Sequence, residues 1–200
     1  MGPLTINLTT MRRALLLPVL AGLLAGCSLF ETRQPEAPTQ SGNSLPAPTT
    51  PAVVLSNLQI AIISRDLNAY MDCFANPAIT SRGFTFVPSP DYIVQLQPWS
   101  YTKEHDFMND LISKARPSGF SNLLLTPRDS LISSDSVDYR YIYTFVFETR
   151  PEYNFTSRAH GSLEFKIGLE DDRVRWSIYY WADNPENRGD TTWSAFKQKF

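Results

Sequence analysis

The stretch Asp138-Tyr139-Arg140-Tyr141-Ile142-Tyr143-Thr144-Phe145-Val146-Phe147-Glu148-Thr149 decides the fold class. Tyr139, Tyr141, Tyr143, Phe145 and Phe147 stand at every second position, and Arg140, Ile142, Thr144, Val146 and Glu148 fill the places between them. Successive side chains of a strand point to opposite faces, so this pattern predicts a long strand with one aromatic face and one mixed face. Residues 155–169 keep the same period, with Leu163, Phe165, Ile167 and Leu169 on one side and His160, Glu164 and Lys166 on the other. Glu170-Asp171-Asp172 reads as a turn. Residues 173–181 then return with Val174, Trp176, Ile178 and Tyr180 inward, which leaves Tyr179 and Trp181 outward. Residues 123–126 and 131–133 are shorter strand candidates.

Before residue 120 the period is helical. Ile63, Leu67, Tyr70 and Phe74 recur at 3.6-residue spacing, which predicts one helix from a Ser56 cap to about Ala75, stopped by Asn76-Pro77. Residues 84–87 suit a short strand closed by Pro88 and Pro90. A second helix is expected from near Thr102, with Glu104 and Asp106 in the first turn, where the helix dipole favours acids. It carries Phe107, Met108, Leu111, Ile112 and Ala115, and Arg116-Pro117-Ser118-Gly119 ends it. Trp193, Phe196 and Phe200 fit a short closing helix. Helices followed by a run of antiparallel strands with one apolar face give an α+β domain, expected as a single unit over residues 53–200.

The N-terminal quarter has a different character. Arg12-Arg13 precede a thirteen-residue apolar run from Ala14 to Gly26, too short to span a bilayer and of the right length for a signal peptide, residues 1–26. Leu24-Ala25-Gly26-Cys27 resembles the lipobox of bacterial lipoproteins. That resemblance implies diacylglycerol on the Cys27 thiol, cleavage before it and a palmitate-type acyl anchor in the membrane. Ser28, where an aspartate would favour the inner membrane, implies the periplasmic face of the outer membrane if the cell is Gram-negative. Residues 27–52 then hold five prolines among Ser, Thr, Ala and Gln, a composition that reads as an extended tether. Either Met1 or Met11 as the start yields the same mature protein.

Composition narrows the function. The chain has 200 residues, 42% hydrophobic and 19% charged, which excludes disordered, fibrous and multi-pass membrane classes. Without Arg12 and Arg13 the 18 basic residues become 16 against 20 acids, a net charge of −4. That is ordinary surface charge, and it argues against nucleic acid as a partner. With Cys27 committed to lipid, Cys73 stands alone, flanked by Met71 and Phe74, and reads as a buried packing residue. No phosphate loop, nucleophile elbow, Cys-x-x-Cys or His-x-x-x-His spacing occurs, so no cofactor and no metal is expected. His105 reads as a solvated residue of the second helix.

The residues Asp66-Leu67-Asn68-Ala69-Tyr70-Met71-Asp72-Cys73-Phe74-Ala75, with Trp176-Ser177-Ile178 and Trp181-Ala182-Asp183, resemble the nuclear transport factor 2-like superfamily. The resemblance implies a strongly curved antiparallel sheet wrapped on its helices as a cone that can hold a pocket. Ketosteroid isomerases of that superfamily use a first-helix tyrosine as hydrogen-bond donor and an aspartate after that helix as base. The corresponding positions here are Leu58 and Arg82, which supply neither group. The sequence therefore leaves two readings of the aromatic stripe. Tyr70, Tyr139, Tyr141, Tyr143 and Trp176 are candidate pocket residues for a small apolar ligand, or the rings fill a core. His160, Tyr179 and Trp181 are candidates for an interface with a second copy or an envelope partner. The preferred reading is a membrane-anchored, non-catalytic binding or scaffolding domain. The alternative is an isomerase- or dehydratase-like enzyme, or a small-molecule carrier, using the pocket.

Overall fold

The computed structural model describes residues 45–200, so the signal-peptide, lipobox and Cys27 readings lie outside the described residues. Helix α1 (Pro51–Ser64) starts with proline at its first turn, and the Thr50 hydroxyl accepts from the Val53 N–H at 3.3 Å. Thr50, and not Ser56, is the cap. Arg65 leaves the helix in the left-handed region at φ 56°, and α2 (Leu67–Met71) restarts after Asp66, whose carboxylate accepts from the Ala69 N–H at 3.0 Å. The single helix expected over residues 56–75 is therefore two. The break is held by the Arg65 side chain, which donates to the carbonyls of Arg116 and Gly119 and to the Ser121 hydroxyl. It also takes Ile63 out of the expected stripe and leaves it 55% exposed.

Strand β1 (Thr85–Val87) is followed by a 3-10 turn, a short helix α3 (Ile93–Leu96) and α4 (Tyr101–Ser113), which is capped by Ser100. The sheet then runs β2 (Ser121–Ile132), β3 (Ser136–Phe147), β4 (Arg158–Leu169) and β5 (Trp176–Asn184), and α5 (Trp193–Lys199) closes the chain. Its strand order is β1-β5-β4-β3-β2, antiparallel except for the parallel β1–β5 pair. The two short candidates at 123–126 and 131–133 are one strand, bent by an irregularity between Pro127 and Asp129.

The concave face of the curved sheet carries the core. Tyr141, Tyr143, Phe145 and Phe147 of β3, Leu163, Phe165 and Ile167 of β4, and Ile178 and Trp181 of β5 pack with Leu58 and Ile62 of α1, Phe107 and Leu111 of α4, and Trp193 and Phe196 of α5. The architecture is α+β, helices on a curved five-stranded sheet, as the alternating stretches required.

One strand departs from the expected facing. Ile167 pairs with Ile178 and Lys166 with Tyr180, so Tyr179 is an extra residue in β5 with no counterpart in β4. This bulge inverts the alternation beyond it. Trp181 is fully buried against Phe165, Phe86 and Trp193, which removes it from the interface candidates. Tyr180 faces Lys166 on the outer side, with the ammonium 5.2 Å from its ring, and Val174 is 59% exposed, so neither of these points inward.

The folded body also begins before residue 53. The carbonyl of Pro46 accepts from the Asn57 side chain at 2.8 Å, and that of Pro48 accepts from the Trp176 N–H at 2.7 Å. Residues 45–50, read from sequence as tether, are thereby fastened to α1 and β5.

Candidate functional site

Two buried polar groups organise the concave side, and α5 enters both. The first is built on Asp183 near the end of β5, which is 1% exposed. It accepts from the Tyr143 hydroxyl at 2.7 Å, from the Ser194 N–H at 2.7 Å and from the Ser194 hydroxyl at 2.5 Å. Tyr143 in turn accepts from the Trp193 N–H at 2.7 Å, and the Ser194 hydroxyl accepts from the Ser89 N–H at 2.9 Å. Burial raises the carboxyl pKa of Asp183, opposed by the donors from Ser194 and Tyr143. Burial, with the nearby Asp183 charge, pushes the Tyr143 phenol well above its ordinary value. The group satisfies free N–H groups at the start of α5 and pins that helix into the core.

The second group lies deeper. Lys197 of α5 and Glu104 of α4 form an ion pair whose two side chains are both 0% exposed. The Lys197 ammonium sits 4.1 Å from the ring centre of Phe86, 4.4 Å from Trp181, 4.8 Å from Trp99 and 5.0 Å from Phe107. Glu104 also accepts from the Tyr70 hydroxyl at 2.7 Å and from the Trp99 indole N–H at 2.7 Å. Every oxygen of the carboxylate is thus matched, and the ammonium meets the negative faces of four rings. Burial lowers the Lys197 pKa, and Glu104 opposes the shift. Burial, then the Glu104 charge, raises Tyr70 well above its ordinary value.

Among the described residues, the candidate pocket residues line neither the hollow beside Trp99 and Phe107, nor that beside Pro46 and Asp72, nor that beside Thr85 and Pro98. Tyr70 and Tyr143 are consumed by the Glu104 and Asp183 networks, and Tyr141 is buried with its ring 5.6 Å from half-buried Tyr139. Trp176 is half-buried at the far end of β5, where its N–H holds Pro48. The space they were expected to line is filled by α5: Trp193 stacks on Phe145 at 3.9 Å and 18°, and Phe196 meets Phe145 edge-on at 5.1 Å. A surface hollow of about 580 Å³ does lie beside the deeper group, between α3, α4 and α5, lined in part by Leu96, Trp99, Phe107, Lys197 and Phe200. None of the five pocket candidates lines it.

On the outer face, His160 is half-buried with Nδ1 3.4 Å from the Thr144 hydroxyl oxygen, and Tyr179 carries the Arg82 guanidinium 5.3 Å above its ring. Both side chains lie on the outer face of the sheet and are half-buried. Arg82, the position at which a base would have to stand, pairs instead with Asp135 at 3.0 Å. His105 is exposed and 3.2 Å from Asp106, and Cys73 is buried with its thiol donating to the Ala69 carbonyl. Burial pushes the Cys73 thiol pKa far up. Among the described residues, no cluster of three or more His, Cys, Asp or Glu side chains could hold a metal, and no helix is long and apolar enough to cross a membrane.

Sequence reasoning missed Glu104 and Lys197. A signal for them exists. Glu104 shares a helical stripe with Phe107, Met108 and Leu111, and Lys197 lies four residues after Trp193 and three before Phe200. A charge centred on an apolar stripe is a candidate for a buried pair.

No protein-family model matches the chain, and no curated protein matches it. Solved structures do share its fold. A nuclear transport factor 2-like superfamily protein from Salmonella enterica superposes with a TM-score of 0.50 at 13% identity, covering 68% of this chain and 89% of that one. A conserved protein from Planctomyces limnophilus gives 0.51 at 10% identity, covering 66% and 91%. A protein from Novosphingobium aromaticivorans, named as a proposed aromatic ring hydroxylase, gives 0.50 at 12% identity, covering 72% and 91%. The domain has the nuclear transport factor 2-like fold, which hosts unrelated activities.

Proposed function

We propose that this chain is an envelope lipoprotein, a nuclear transport factor 2-like domain held on a membrane by lipid on Cys27 and serving binding or assembly rather than turnover. One observation carries the non-catalytic half: the interior where this fold can keep a pocket is occupied by the chain's own α5, and its polar groups are spent on holding that helix. The anchoring half is supported by the ordered sequence of basic pair, short apolar run, small residues and Cys27. Because Pro46 and Pro48 are fastened to the domain, only residues 28–44 would separate it from the lipid, a reach of at most about 60 Å. Ser28 favours the periplasmic face of the outer membrane in a Gram-negative cell. The partner, a second copy or another envelope protein, would meet the outer sheet face around His160 and Tyr179.

Metabolic labelling with an alkynyl palmitate tests the anchor. The full chain is expected to take the label and sediment with membranes, and Cys27→Ala to lose both properties. A labelled Cys27→Ala protein would overturn the anchor. Native mass spectrometry of the mature protein tests the rest, with a bare monomer or dimer expected. A retained adduct of small-molecule mass would replace this reading with the carrier or enzyme alternative, for which the hollow beside Trp99 and Phe107 is the supporting observation.

A further inference from the structure

The walls around the Lys197 ammonium belong to elements other than its own helix. Phe86 is set by the pairing of β1 with β5, Trp181 lies on β5, Phe107 and Glu104 on α4, and Trp99 just before α4. These parts also hold one another: Phe86 meets Trp99 at 5.8 Å and Trp181 at 5.2 Å, and Trp99 meets Phe107 at 6.2 Å, all edge-on. Glu104 is oriented by Tyr70 and Trp99 through two bonds that do not involve α5. Removing the Lys197 side chain therefore leaves a preorganised box with a desolvated carboxylate at its base. Four ring faces and one oriented carboxylate are what a primary alkylammonium requires, and what a neutral molecule of the same length leaves unmatched.

We propose that the deep end of the concave face is a binding site for a primary alkylammonium group, whose occupant in this structure is the chain's own Lys197. The hollow between α3, α4 and α5 has Trp99 and Phe107, two of the four ring walls, in its lining and marks the side by which such a group would arrive once the Lys197 side chain, 0% exposed, is removed. The ligand class is a free primary alkylamine in its charged form, with the four-carbon stem lying where the Lys197 stem now lies. This inference goes beyond the anchored-scaffold reading and depends on neither the lipid nor the partner.

The test is chemical rescue of the full chain carrying Lys197→Ala. n-Butylammonium chloride is titrated while the thermal midpoint is followed by circular dichroism, with n-butanol as the neutral probe of the same shape. A rise of about 3–5 °C at ten times the dissociation constant is expected, continuing with the logarithm of amine concentration above it, since ligand binding to the folded state stabilises it by mass action. The wild-type chain, its site filled, should not respond, and neither should Lys197→Ala combined with Glu104→Gln. No rise, or an equal rise with butanol or in the Glu104→Gln background, overturns the proposal. Should Lys197→Ala remain unfolded at every amine concentration, Lys197→Met provides the decision, because it keeps the stem volume. Glu104→Gln should then raise the midpoint when combined with Lys197→Met and lower it in the wild type. A change of the same sign in both means the carboxylate is no ammonium receptor. Membrane sedimentation of these variants should stay at wild-type levels, which separates failure here from failure of the anchor.

Discussion

The protein carries two charged networks on the two faces of one sheet, built from the same kinds of residue. Outside, Arg140 lies 3.8 Å from Asp129 and 3.6 Å from Glu164, while Lys166 lies 3.5 Å from Glu164 and 3.4 Å from Asp138, with side chains 27–69% exposed. Inside, Lys197 and Glu104 are 0% exposed. Water screens the outer ladder and holds each charge when its partner is lost, so its pairs are worth little singly. The inner pair has no water to return to. Removing one partner strands the other in a low dielectric, and the stake is the desolvation of a charge and not the attraction alone. Counting ion pairs would rank the outer face first, whereas burial ranks it last.

That contrast can be broken by measurement. Lys197→Ala, leaving Glu104 without its cation, is expected to lower unfolding free energy by about 3–5 kcal/mol in urea denaturation. A loss under about 1 kcal/mol would mean the concave side is wet and the two networks are alike. Asp183→Ala tests the neighbouring group. It leaves the Tyr143 hydroxyl and both Ser194 donors unmatched, and about 2–3 kcal/mol should disappear, with α5 amides losing hydrogen-exchange protection before those of β3. Uniform protection loss would show that α5 is not a separate closing element.

Alkaline titration sharpens the comparison further. Tyr70 and Tyr143 have raised pKa values in the folded state, so the folded protein keeps protons that the unfolded chain releases as pH passes about 10. Stability should then fall by about 1.4 kcal/mol per pH unit for each of the two. Their tyrosinate absorbance should appear only as the circular dichroism signal collapses. All nine tyrosines ionising with the fold intact would contradict the buried placement. The smallest effect belongs outside: Lys166→Ala is expected to change stability by less than about 1 kcal/mol, and less still in high salt. A loss matching Lys197→Ala would erase the distinction.

How much of this is legible in the sequence depends on whether local periodicity runs uninterrupted. The β3 stripe from Tyr139 to Phe147 faces as its alternation requires, because nothing breaks its register with β4. The end of β5 defeats the same reading, since an extra residue leaves no compositional mark. Nothing distinguishes Tyr179 from Tyr180 in the sequence, and the pairing with Lys166 and Ile167 alone tells them apart. The α1–α2 break is hidden for a similar reason. A left-handed backbone announces itself when glycine supplies it, but here Arg65 does so, held by acceptors more than 50 residues away. Tyr70 and Tyr143 read from their spacing as inward hydroxyl-bearing residues, and both are buried. Their partners do not read so, because Glu104 and Lys197 are 93 residues apart and each looks locally like a helix-surface charge.

The bulge at Tyr179 also has a consequence for comparing this chain with others. A strand has a two-letter grammar, inside and outside, and one inserted residue shifts the parity of everything after it. Aligned without a gap against a chain that lacks the insertion, Trp181 would be matched to an outward position and Tyr180 to an inward one. Core would be scored against surface throughout the rest of β5. Shortening the tyrosine pair to a single tyrosine would leave Ile178 and Trp181 on the concave face, so the natural place for that gap lies between residues 178 and 181.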